Sequence, residues 1–68
     1  MKNMFKKYIM TVPVFAVQIT KRNVKKLETL CGYDFDKGLI KENIGCWLIQ
    51  DRSGIEIYPE DIQLQEEK

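Results

Sequence analysis

The chain has 68 residues, 44% of them hydrophobic, with 11 basic and 10 acidic side chains and a formal net charge of +1. That length makes one small domain, which buries only about 60% of the surface its unfolded chain exposes. Histidine is absent and Ser53 is the only serine, which removes the commonest general base and any Ser-His triad.

The charge is unevenly spread. Residues 1–26 hold seven cations and no acid, and residues 27–68 hold ten acids against four cations. Such asymmetry marks either an anionic contact, nucleic acid included, or a solvated surface whose opposite charges pair in the fold. The second reading is the plainer one.

Residues 1–7 read as a flexible basic arm. The arm and the stretch Tyr8–Ile19 share the basic-then-apolar order of a signal peptide. Thr11, Pro13 and Gln18 interrupt the apolar run, and no small-residue cleavage site follows, so a signal peptide is not expected. No stretch is long enough for a membrane-spanning helix, and the expected setting is cytoplasmic, away from membranes.

Val12–Thr20 is rich in β-branched residues and predicts the first strand, with Pro13 at its start or on an edge. Phe15, Val17 and Ile19 share one face and are the better core candidates; Val14, Ala16 and Gln18 share the other. Lys21–Cys31 predicts a helix of about three turns, with Val24, Leu27, Leu30 and Cys31 on one apolar stripe. Thr20 or Asn23 can cap its start, and Gly32 suits the position just past its end. Lys21, Arg22, Lys25 and Lys26 crowd the helix start, where cations oppose the macrodipole.

Leu39-Ile40 is expected to add a short strand or extended contact. Asp34, Asp36 and Gly38 begin like a calcium loop, but Leu39 and Gly45 stand where that loop needs Gly and Glu, so no metal is expected. The run Ile44–Tyr58 predicts a β-hairpin turning at Asp51–Gly54, with Gly54 at positive φ. Trp47 and Ile49 alternate with Cys46 and Leu48, which suits a central strand covered on both sides. Ile55 and Ile57 alternate with Glu56, giving the next strand one wet face. Ile62 and Leu64 alternate with Gln63 and Gln65 and predict a last strand, followed by a frayed tail over 66–68. Cys31 and Cys46 are read as reduced, buried, unreactive thiols. The fold class is α+β: a single small domain over 1–68, β-α-β-β with one further strand, the helix packed on a short, mainly antiparallel sheet.

Val12-Pro-Val-Phe-Ala-Val-Gln18, followed by a short helix ending in Leu30-Cys-Gly32, resembles the opening of a family of small phage and prophage proteins that reads roughly KPVxxxAxQ. Gly45-Cys-Trp-Leu-Ile49, Gly54-Ile-Glu-Ile-Tyr-Pro59 and Asp61-Ile62 resemble that family's later segments, with Cys46 in place of the usual Asp. The resemblance implies a phage-related origin and an α+β fold. It assigns no activity and no site residues.

Catalysis is not expected: there is no nucleotide-binding glycine loop and no activated nucleophile, and no cofactor is expected. The leading expectation is a non-catalytic, phage-type accessory protein that binds a host or phage protein and inhibits or modulates it. Tyr33, Trp47 and Tyr58 are the candidate contact residues, since Trp and Tyr concentrate at binding hot spots; core filling is the plainer role for Trp47. The alternative is nucleic-acid binding through Lys21, Arg22, Lys25 and Lys26. A homodimer through a free sheet edge competes with both.

Overall fold

In the computed structural model, which describes residues 4–36 and 38–66, five antiparallel strands and one helix form an α+β domain. Strand β1, Lys6–Ile9, pairs with β2, Pro13–Gln18, in the register Lys6↔Ala16 to Ile9↔Pro13. Lys6 and Lys7, expected in a loose arm, are therefore strand residues. The neighbouring Phe5 and Tyr8 pack into the cores on either side of the sheet, and burying these two rings holds the segment in place. Pro13 opens β2, where its missing N–H costs the ladder nothing. The ladder continues past Gln18, since Ile19 N–H donates to the Cys46 carbonyl (2.9 Å) and Gly45 N–H to the Ile19 carbonyl (2.7 Å).

Helix α1, Val24–Cys31, starts one turn later than expected. The turn before it is closed by Val24 N–H donating to the Thr20 carbonyl, 3.0 Å. Thr20 N–H donates to Asn23 Oδ1 (2.8 Å), and Asn23 N–H reaches Thr20 Oγ1 (3.2 Å). The two cap candidates thus act together, with Asn23 in the place a capping box gives to Glu or Gln. Gly32 does not form a left-handed cap. Its φ of −63° continues the helical sense into a 3-10 turn, Gly32–Asp34. Leu39-Ile40 forms a turn rather than a strand and leads into a second 3-10 turn, Lys41–Asn43, with Ile40 buried.

Strands β3, Trp47–Asp51, and β4, Gly54–Tyr58, make the expected hairpin. Arg52 and Ser53 keep negative φ while Gly54 takes +128°, the pattern of a type I turn closed by a glycine no L-residue replaces without strain. The Asp51 carboxylate accepts the Ser53 N–H at 2.8 Å, which fixes the turn locally.

The strand order is β4-β3-β2-β1-β5. On one face Ile19, Leu27, Cys31, Ile40 and Leu48 form the core under the helix, with Val17, Ile55 and Ile57 against it. On the other, Val14, Ala16 and Ile49 are buried, with Tyr8, Trp47, Tyr58, Ile62 and Leu64 packed on them. β3 is covered on both faces, as its unbroken apolar run implied. Phe15, expected in the core, is 46% exposed. It pairs with Gln50 near the β3–β4 turn, and the short helix covers Val17 and Ile19 instead.

The second face is covered by the C-terminal segment. Strand β5, Gln65–Glu66, pairs with β1 on the edge opposite β4. Four strand spacings of about 4.8 Å put those edges roughly 19 Å apart, and the few residues between Tyr58 and Gln65 have little slack over that span. Ile62 and Leu64, expected as strand residues, instead lie on the second core. Glu66, expected in a frayed tail, is held in β5.

Candidate functional site

The helix has two distinct faces. Leu27 and Cys31 are buried and Val24 half-buried against the sheet. Lys26 and Leu30, four residues apart, lie along the opposite, outward side of α1, while Arg22 stands in the turn before the helix and Tyr33 in the 3-10 turn after it. All four are exposed, Leu30 at 48% and Tyr33 at 84%. Leu30 was expected in the core. A three-residue spacing drifts about 60° per step around a helix, so Val24, Leu27 and Leu30 fan out. The side shared by Leu27 and Cys31 faces the sheet, and Leu30 is left outside. That drift was the available signal for this residue.

Lys21, Arg22, Lys25 and Lys26 are all exposed, and among the described residues none of their side chains forms an ion pair. The expected pairing of opposite charges does not occur at this cluster. No acid stands in the first turn of α1 to offset it. Each cation there costs a few tenths of a kcal/mol against the macrodipole.

The other two aromatic candidates are placed differently. Trp47 and Tyr58 are half-buried on the second core, so packing already occupies much of their surface. Burial chiefly, then the charges of Glu56 and Asp51 and a hydrogen bond with Glu56, push the Tyr58 phenol above its ordinary pKa. Only Tyr33 is fully available. Beneath the end of the helix a cavity of about 270 Å³ is lined by Glu28, Gly32, Phe35, Asp36, Gly38 and Ile40. No His, Cys or Ser lines it.

Strand β4 is the longer free edge. Glu56 at its centre and Pro59 just beyond it are features that blunt an edge against added strands. Cys31 and Cys46 form no disulfide; Cys31 is buried as expected, whereas Cys46, also expected to be buried, is half-buried. Cys31 donates to the Leu27 carbonyl at 3.2 Å, a structural position. Among the described residues no three potential metal ligands come together, and no helix is long and apolar enough to cross a membrane. Comparison with protein-family models, curated proteins and solved structures finds no match for the chain.

Proposed function

We propose that the chain is a non-catalytic protein-binding module of the phage or prophage accessory kind its sequence resembles, docking on a protein in the host cytoplasm to inhibit or modulate it. The observation behind this reading is the pair Leu30 and Tyr33, two large side chains left in solvent at the end of α1 and in the 3-10 turn that follows it, while the helix's other side is packed. A domain this small has few apolar residues to spare from its core. An exposed Tyr beside an apolar neighbour is the composition of a binding hot spot. Capture from host lysate by the wild-type chain and by a Leu30→Ala/Tyr33→Ala variant tests the reading. A partner retained by the first and lost from the second supports it, and equal capture by both sinks it.

A second reading, nucleic-acid binding, is favoured by the cations Lys21, Arg22, Lys25 and Lys26, which form no ion pair among the described residues. It requires affinity for a generic oligonucleotide that falls steeply with salt, because each phosphate contact releases counterions, and that is abolished by Lys25→Glu/Lys26→Glu. Protein binding is preferred because the exposed residues include Leu30, an aliphatic side chain with no donor or acceptor to offer a base or a phosphate.

A further inference from the structure

We infer that the partner surface is acidic around an apolar notch, and that it is engaged by Arg22, Lys26, Leu30 and Tyr33. This rests on the protein-binding reading above and names the chemistry of the partner.

Charge complementarity points to this partner. Arg22 stands in the turn before α1, Lys26 and Leu30 on its outward side and Tyr33 in the 3-10 turn after it, so the cations come first along the chain and the apolar bulk last. These cations are uncompensated: none is paired among the described residues, and the first helical turn carries no acid. Four like charges within six residues repel, and carboxylates of a partner would relieve that repulsion. Lys21 and Lys25 add to the same positive field, which steers an acidic surface toward it and suppresses basic competitors. Leu30 and Tyr33 then supply the desolvated contact from which most of the affinity comes. The chain's own acids are poor occupants. Glu56 lies on edge strand β4, and Pro59, which blunts that edge against a second copy, separates it from Glu60 and Asp61. A lipid surface wants apolar side chains along the length of a helix. On α1 they stand at one end only, and the helix's other apolar side chains, Val24, Leu27 and Cys31, pack in the core against the sheet.

The test uses the intact chain and a random peptide library. Selection on the immobilised wild-type protein is expected to enrich peptides that combine Asp or Glu with Leu, Phe or Trp. The consensus peptide, synthesised and titrated, should bind about tenfold or more weakly to Arg22→Glu/Lys26→Glu and, independently, to Leu30→Ala/Tyr33→Ala. Lys41→Glu, an exposed change elsewhere, should leave binding unaltered. The four target residues are exposed, so unchanged circular dichroism and melting confirm that each variant folds. Enriched peptides without acids, or binding indifferent to the charge reversal but lost with Leu30→Ala/Tyr33→Ala, overturn the acidic partner while leaving protein binding in place. Failure to enrich any peptide, with binding instead to a single-stranded oligonucleotide or to phosphatidylglycerol vesicles unaffected by Leu30→Ala, overturns both.

Discussion

Tyr8 and Trp47 meet edge to face across strand β2, their ring centroids 5.5 Å apart and their planes at 75°. They belong to β1 and β3, which are not neighbours, so the contact closes over the strand between them. Ala16 on β2 is 1% exposed in the same cluster. A methyl group there leaves room for two rings, and the edge-on arrangement is the one aromatic quadrupoles favour, worth about 0.5–1.5 kcal/mol beyond area burial.

Ala16→Leu should therefore destabilise the domain by about 1–3 kcal/mol through overpacking and separate the rings. Urea unfolding followed by tryptophan fluorescence measures the first effect, and loss of the near-ultraviolet circular dichroism of the pair reports the second. A variant of unchanged midpoint would show that the second core has slack at this position.

The C-terminal cover gives a related expectation. Ile62 and Leu64 are half-buried on the second core, so Ile62→Asp/Leu64→Asp should expose that face and cost roughly 1–2 kcal/mol per site in lost apolar burial. Trp47 emission should shift to the red while the helix-side core keeps its far-ultraviolet signal. An unshifted emission would mean that the segment does not shield Trp47.

The parts of the fold written in local chemistry were legible in the sequence. Asp51 and Gly54 announce the hairpin through turn residues, and Leu27 and Cys31 announce the buried side of the helix through its period. The second core was not legible in this way. Ile62 and Leu64 alternate as strand residues do, but their position depends on the distance between the two sheet edges, which no local pattern encodes. Lys6 and Lys7 look like an arm because both are polar, and they become a strand because Phe5 and Tyr8 find opposite faces of a sheet that exists only in the fold. Of the candidate site, Tyr33 and the cations were found from composition. Leu30 reads as a core residue in the sequence because a three-residue spacing looks like a straight stripe, whereas it drifts around the helix.

The Thr20–Asn23 pair offers a local test of how the helix begins. Thr20→Ala and Asn23→Ala each remove one of the two reciprocal bonds, and each should cost about 1 kcal/mol. Asn23→Ala should cost more, since Asn23 Nδ2 also donates to the Gln18 carbonyl at 2.9 Å. The double variant should cost less than the sum of the singles, because the two side chains satisfy one another. Strict additivity in chemical denaturation would show that they act separately.

Tyr58 carries a pH dependence with a definite sign. Burial first, then Glu56 and Asp51, raise its phenol pKa above the ordinary value of 10.0. Below the unfolded value both states hold the proton, and the contribution of Tyr58 to stability is fully present. As pH rises past that value the unfolded chain releases its proton first, so stability is lost on the way up to the folded pKa. The wild-type chain should therefore lose stability over this alkaline interval more steeply than Tyr58→Phe, which has no phenol to ionise. Subtracting the two phenolate absorbance titrations should leave a component above the ordinary tyrosine range. Glu56→Gln, which removes the nearer charge, should move that component back toward it. A difference component at the ordinary position in the wild-type chain would show that the ring at the end of β4 is hydrated and that neither burial nor Glu56 acts on it.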